Sequence, residues 1–395
     1  MMKSSPTRSG MIRPGATLGV LGGGQLGLFF VLSARRMGYR TVVLDPDPAS
    51  PAMVAADRSI VSSYDNEESL RDLSDSCAAI TTEFENVPAR SLEFLSERGT
   101  VRPSSPSVGT CQDRILEKTF LSSHGFPTTP FTLVSRELLP SQDQVRGLIP
   151  GILKTAREGY DGKGQWPIRH YDELSSLVSR SATPFVLEKR LDLAREFSLI
   201  IVRGQDGKTV LYPVAENHHE AGILHISSVP ADITADLERH IREIGESIAR
   251  TLDYTGVLAV EYFLDTSGNL YVNELAPRPH NSGHYTLDGC VASQFDQQVR
   301  TLCGLPLASA RLLSPCAMGN LLGHFWAGTE LPDFSSILAE PQAKLTLYGK
   351  NFPRPGRKMG HFTVLGSSAQ EAAATVHSLL TGLSVKDSPS SLLQP

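Results

Sequence analysis

Apolar residues at 16–21 run into a glycine-rich turn, a helical stretch at 28–37 and a second short apolar run at 41–44 that ends in Asp45. Strand, turn, helix and strand in that order predict a β-α-β unit, and so a parallel, helix-covered sheet at the start of the chain. Another apolar run, 78–82, leads into Glu83-Phe84-Glu85-Asn86. Its acidic end belongs at the carboxyl edge of the same sheet, where open α/β sheets bind ligands. The Pro/Ser-rich segment 102–108 is expected to be the linker out of this unit, and 113–123 a helix. Between 131 and 203 short strands alternate with one helix at 172–179. A long helical pattern at 231–252 precedes a hairpin: 257–264, a turn through Asp265-Thr266-Ser267-Gly268-Asn269, and 270–275. Strands around 318–325, 343–348 and 360–365 and a helix at 369–380 follow, with 1–14 and 385–395 as ragged ends.

Length and composition narrow the class. At 395 residues the chain has room for two or three domains, and 40% hydrophobic with 20% charged residues is the composition of a globular enzyme. A formal net charge of -5 gives no global attraction to nucleic acid or to an anionic membrane. The five cysteines, Cys77, Cys111, Cys290, Cys303 and Cys316, have neither metal-ligand nor redox spacing and read as reduced thiols. Neither a signal peptide nor a membrane-spanning run is present, so the expected location is the cytoplasm.

Gly22, Gly24 and Gly27 match G-x-G-x-x-G between strand and helix, and Asp45 closes the next strand at about the dinucleotide-binding distance. The pattern establishes that the backbone turns tightly and brings N–H groups to a helix N-terminus. An NAD site is one reading, and a sugar-phosphate or nucleotide site is another.

A second apparatus follows. Lys154 ends a short apolar strand, and Gly159-Tyr160-Asp161-Gly162-Lys163-Gly164-Gln165 is suited either to a phosphate-covering loop or to a surface hairpin. The strand 185–188 ends in Glu188, continues through Lys189-Arg190-Leu191, and offers a backbone edge to an adenine; Glu196 opens the next strand. In the hairpin, pairing Asp265 with Leu270 would set Glu261 opposite Glu274 inside otherwise apolar strands. Facing like charges destabilise a sheet unless a cation neutralises them, and two carboxylates beside the amide of Asn273 suit Mg²⁺. An irregular loop then carries Arg278, His280, Asn281 and His284. Its two histidines without a cysteine argue against zinc, whereas Arg278 suits an acyl phosphate or bicarbonate. The rigid loop 349–358 carries Lys350, Arg354, Arg357 and Lys358, either as a solvated turn or as a seat for a substrate phosphate.

In this order the motifs resemble the ATP-grasp ligases, and within them the family of 5-(carboxyamino)imidazole ribonucleotide synthases. The resemblance runs from Gly19 to Leu365 and rests on Gly-Gly-Gly-Gln-Leu-Gly at 22–27, Gly-Tyr-Asp-Gly-Lys-Gly-Gln at 159–165, Asn-Glu-Leu-Ala-Pro-Arg-Pro-His-Asn-Ser-Gly-His at 273–284 and Arg-Pro-Gly-Arg-Lys-Met-Gly-His at 354–361. It implies an α/β and α+β fold with a Rossmann-like unit at 15–110, an ATP-grasp unit at 111–308 and a small β-rich unit at 309–390 that completes the active site. It further implies ATP at Arg114, Lys154, the loop Gly159, Tyr160, Asp161, Gly162, Lys163, Gly164 and Gln165, the run Glu188, Lys189, Arg190 and Leu191, and Glu196, His219, Asn273 and Glu274. Mg²⁺ is expected at Glu261 and Glu274, and aminoimidazole ribonucleotide at Gln25, Leu26, Glu83, Asn281, Lys350 and Arg357. Arg278, His280, Lys350 and Asp161 are the implied catalytic groups, with Arg278 and His280 near bicarbonate.

The implied reaction is ATP-dependent carboxylation of the ribonucleotide's exocyclic amine through carboxyphosphate, by a homodimer that hands its product to a separate mutase. Departures from the family pattern are the leader of about 14 residues and the apolar Leu28-Phe29-Phe30 after the glycine turn. The alternatives are a formate-dependent glycinamide ribonucleotide transformylase or a biotin carboxylase within the same fold. Outside it, they are an NAD-dependent oxidoreductase and a non-catalytic nucleotide-binding regulator.

Overall fold

The computed structural model describes residues 10–157, 159, 164–326 and 330–383. Tyr160, Asp161, Gly162 and Lys163 therefore lie outside the described residues, as do the extreme ends of the chain. Among the described residues, three sheets organise the molecule. The first is parallel and has five strands, in the order Arg58–Val61, Arg40–Asp45, Thr17–Leu21, Ala79–Thr82, Thr100–Val101. The strand-helix-strand start is as expected, but the first helix, Gln25–Arg36, begins inside the glycine turn itself. The expected linker at 102–108 is instead largely helical: Ser105–Gln112 is a helix, with the Ser104 side chain accepting from Ser107 N–H as its cap. Pro106 sits in its first turn, where a missing N–H costs nothing. Asp113 then caps Arg114–Ser123 by accepting from the Ile115 and Leu116 N–H groups.

A four-stranded antiparallel lobe follows, in the order Phe131–Val134, Phe185–Lys189, Gly151–Thr155, Gln165–Ile168. Its own core includes Leu153, Leu187, Leu174 and Val178. The largest sheet has nine strands. Along it run Leu270–Ala276, Gly256–Asp265, Leu193–Arg203, Ala215–Glu220, Ile223–Val229, Cys316–Leu322, Lys358–Leu365 and Ala343–Leu347, while Thr209–Leu211 pairs beside Leu193–Arg203. The strands expected of a small C-terminal unit thus extend the ATP-grasp sheet through the pairing of Cys316–Leu322 with Ile223–Val229. Helix Ala235–Thr251 covers one face, burying Ile241, Ile244 and Ile248 against Leu199, Ile201 and Tyr262. Gly245 permits this approach, since a Cβ there would stand 2.8 Å from Leu199 and Ile201. Among the described residues no helix is long and apolar enough to cross a membrane.

Candidate active site

The glycine turn is folded around two acids. Gly23 N–H donates to Asp45 Oδ2 at 2.6 Å, and the Tyr64 hydroxyl donates to the same oxygen at 2.6 Å. Gly24 and Gly27 donate to the two oxygens of Glu83 at 2.6 and 2.7 Å. A Cβ on Gly22 would lie 2.2 Å from Glu83 Cγ, and one on Gly24 would lie 2.4 Å from its Oε1. The glycines therefore admit an internal carboxylate to the helix N-terminus, where a dinucleotide would need its pyrophosphate. Asp45, tied to Gly23, is likewise committed rather than waiting for a ribose. This geometry contradicts the NAD reading. Glu83 shapes the turn as well as lining the neighbouring cleft.

That cleft, of about 590 Å³, lies between Gly24, Asp45 and Glu83 on one side and Lys350, Arg354 and Arg357 on the other. Lys350 Nζ donates to Gln25 Oε1 at 2.5 Å and to the Lys358 carbonyl at 2.9 Å, and stands 5.3 Å from the centre of the Tyr348 ring. The ammonium is thus held from both the first helix and the strand Lys358–Leu365. Arg357 braces its own loop by donating to the Asn351 and Phe352 carbonyls at 2.6 and 3.0 Å. The Leu26 side chain is not at the cleft surface: it is buried with Phe29, Phe295 and Tyr348, which leaves only its backbone for a ligand. The apolar Leu28-Phe29-Phe30 stretch has the same explanation, because Phe29 packs against His284, Tyr348 and His361.

A second cleft, of about 460 Å³, is lined by Lys154, Gln165, Glu188, Lys189, Arg190, Leu191 and Phe263. Lys154 Nζ donates to Glu188 Oε2 at 3.1 Å. Burial alone would raise the Glu188 carboxyl, but Lys154 and Lys118 outweigh it and hold it below the usual range. Lys118, which has no solvent exposure, went unremarked in the sequence. Its signal was a charged stripe at helical spacing, Arg114, Glu117 and Lys118 one turn from Leu121, where the last three are buried. Arg114 reaches from this helix to Glu274 Oε2 at 3.8 Å and to the Gly159 carbonyl at 3.3 Å.

The hairpin brings the carboxylates together by a route the spacing did not anticipate. Leu264, not Asp265, pairs with Leu270, and this register continues to Tyr262 and Val272. Asp265 instead closes the turn, accepting from the Ser267 and Asn269 N–H groups at 2.9 and 2.8 Å. Beyond Tyr262 the register slips, so that Val260 pairs with Leu275. Glu261 therefore stands opposite both Asn273 and Glu274 across a β-bulge. The bulge is forced by the core: Val272 and Leu275 bury in the same cluster, although strict alternation would send residues three apart to opposite faces.

Asn273 Nδ2 donates to Glu261 Oε2 at 3.3 Å, while the Asn273 carbonyl oxygen is buried without a partner. Burial, then the charge of Glu274, pushes the Glu261 carboxyl up to about 7. Burial and the same Glu274 charge raise Glu117 to about 8. Two conflicted carboxylates beside an orphaned amide oxygen form a hard-oxygen donor set that fits Mg²⁺. Among the described residues no group of three or more His, Cys, Asp or Glu is arranged for a metal.

His219 Nδ1 lies 3.1 Å from Glu196 Oε2, and His280 Nε2 lies 3.4 Å from Glu261 Oε1. Burial, reinforced by Arg278, depresses His280 far below the usual imidazole range, so it is neutral. Its Nδ1 pairs with Ser282 Oγ at 2.8 Å, which in turn accepts from the buried Ser198 hydroxyl, 2.7 Å away. Arg278 Nε donates to Glu85, and Nη1 donates to the Pro279 carbonyl at 3.1 Å. Burial opposes ionisation of Glu85, yet Arg278 holds it down at about 2. Both amide atoms of Asn281 are buried without partners.

Similarity to known proteins follows the same layout. Residues 15–112 match the ribonucleotide synthetase preATP-grasp domain, 119–295 the ATP-grasp domain, and 316–375 the phosphoribosylaminoimidazole carboxylase C-terminal domain. The N5-carboxyaminoimidazole ribonucleotide synthase of Brucella melitensis is 41% identical over 89% of this chain and 97% of its own length. A crystal structure of an N5-carboxyaminoimidazole ribonucleotide synthetase with ADP superposes with a TM-score of 0.86 at 39% identity, covering 94% of this chain and 97% of that one. The enzyme of Aspergillus clavatus, solved with ADP and 5-aminoimidazole ribonucleotide, gives 0.83 at 30% identity, with 93% and 98% covered. Identity of this degree over almost the whole length of both chains is decisive: this chain belongs to the N5-carboxyaminoimidazole ribonucleotide synthase family of ATP-grasp ligases.

Proposed function

We propose that the chain carries out ATP-dependent carboxylation of aminoimidazole ribonucleotide, a step of purine biosynthesis, with bicarbonate as the carbon source. The observation that carries this reading is the bulged hairpin, where Glu261 stands opposite both Asn273 and Glu274, with His280 beside Glu261 and Arg114 beside Glu274. Nucleotide occupies the cleft of Lys154 and Glu188–Leu191, with Gln165, Glu196 and His219 beside it. Ribonucleotide occupies the cleft between the glycine turn and Lys350, its phosphate taken by Arg354 and Arg357.

Mg²⁺ held by Glu261 and Glu274, with Asn273 adjacent, would offset charge on the transferring phosphoryl group. Arg278, locked in place by Glu85, and the neutral His280 orient bicarbonate for attack on the γ-phosphate. That attack releases ADP and leaves carboxyphosphate, whose carboxyl group passes to the exocyclic amine as phosphate leaves and the amine gives up a proton, with Lys350 and Gln25 positioning the amine. A homodimer is the expected assembly. Phosphate release from ATP and bicarbonate should require aminoimidazole ribonucleotide, with glycinamide ribonucleotide and biotin giving none. Release that ignores the ribonucleotide would overturn the reading.

A further inference from the structure

Helix Arg114–Ser123 turns Glu117, Lys118 and Leu121 inward. Lys118 Nζ donates to Thr128 Oγ1 at 3.0 Å, and Thr128 Oγ1 donates to the Val272 carbonyl at 3.2 Å, so the lysine is tethered to the hairpin. The same ammonium lies 3.5 Å from Glu188 Oε2, the oxygen that Lys154 reaches at 3.1 Å. Two lysines thus share one oxygen of one carboxylate whose side chain is 3% exposed. They are not equivalent. Lys154 lines the nucleotide cleft, whereas Lys118 lies behind Glu188 with no solvent exposure and is not part of the cleft wall.

A buried carboxylate is costly without a counter-ion, and one ammonium is enough to neutralise it. The second is therefore surplus until an anion arrives. We propose that Lys118 is a positioning residue, the resident counter-ion of Glu188, whose presence leaves Lys154 able to move from Glu188 to a nucleotide phosphate. When Lys154 turns to the phosphate, Lys118 and Glu188 remain as a neutral pair. Without Lys118 the same movement would strand a buried carboxylate, and Glu188 would hold Lys154 back. Thr128 and the hairpin keep Lys118 from following. This inference rests on the placement of nucleotide phosphate at Lys154.

The test is titration of the folded chain with ADP and Mg²⁺, with thermal melting run alongside. Lys154→Met should weaken ADP binding about tenfold, the loss of one charged contact. Lys118→Met should weaken it by a similar factor although Lys118 touches no ligand. The double variant Lys118→Met/Lys154→Met should bind no more weakly than Lys154→Met alone, because Lys118 acts only through Lys154. If Lys154→Met has no effect, the nucleotide reading of the cleft fails and takes this inference with it. If Lys154→Met weakens binding but Lys118→Met does not, the inference alone is overturned. The same holds if the two losses multiply in the double variant, since Lys118 would then act independently of Lys154. Should Lys118→Met not fold, Lys118→Gln, which can keep the bond to Thr128 without the charge, decides by itself: a tenfold loss supports the inference, and affinity near wild type overturns it.

Discussion

The residues that matter most here are those whose charge the fold opposes. Glu261 is partly buried beside Glu274, and its carboxyl is pushed up to about 7 from an ordinary value of 4.5. The linkage sign follows directly. A carboxyl that prefers its proton in the folded state stabilises fully below about 4.5, and that stability drains away as pH rises through about 7. In the ligand-free protein, Glu261→Gln should therefore change the melting temperature little near pH 4.5. It should be increasingly stabilising as pH rises, reaching roughly 2–3 kcal/mol at pH 8; a gain that does not depend on pH would refute this. Glu274→Gln relieves the same repulsion, on Glu261 and on the buried Glu117. It should abolish ATP turnover, by about 100-fold or more in phosphate release, while the melting temperature holds or rises. A folded variant with near-normal turnover would remove Glu274 from the chemistry.

At the scale of elements, the bulge in the strand Leu270–Ala276 is the decisive feature. It carries one more residue than the ladder needs, and so turns both Asn273 and Glu274 towards Glu261. Deleting Asn273 restores regular alternation: Val272 and Leu275 still bury, and Glu274 falls directly opposite Glu261. The deletion variant should fold, with a melting temperature lowered by only a few degrees or about 1–2 kcal/mol, and lose most ATP turnover through loss of the amide oxygen. Unfolding of the variant on circular dichroism would show that the bulge is needed by the core rather than by the site. The glycine turn makes a parallel point. Its N–H groups, which the motif alone offers to a ligand, are satisfied internally by Glu83 and Asp45.

Across the whole molecule, the four-stranded lobe has its own hydrophobic core and faces the large sheet over the cleft lined by Lys154, Glu188 and Phe263. It meets the hairpin at an isolated bridge between Thr128 and Val272. A lobe of this kind opens with lower free energy than the continuous nine-stranded sheet, and a nucleotide touching both sides should suppress that opening. On adding ADP and Mg²⁺, amide exchange in Gly151–Thr155 and Phe185–Lys189 should slow by about tenfold or more, while Thr17–Leu21 is unaffected. Uniform slowing throughout the chain would point to global stabilisation instead of lobe closure. The C-terminal strands contribute Lys350 through the same continuity, since Lys358–Leu365 belongs to the sheet that carries Glu261.

Local pattern was enough for the opening strand and helix, the long helix ending at Thr251, the hairpin, and the order of motifs that marks the family, because periodicity and motif spacing are carried by neighbouring residues. It misjudged the segment at 102–108, where proline and serine served as the start of a helix, and it overlooked Lys118. The bulge was legible only in part, as apolar positions spaced by two and then three at Leu270, Val272 and Leu275. What tertiary structure alone decided was which charges meet. Glu188 meets Lys154 across 34 residues, Glu83 meets Gly24 across 59, Arg278 meets Glu85 across 193 and Lys350 meets Gln25 across 325. Separations of that size leave no periodic trace, because only packing of the sheets sets those side chains side by side.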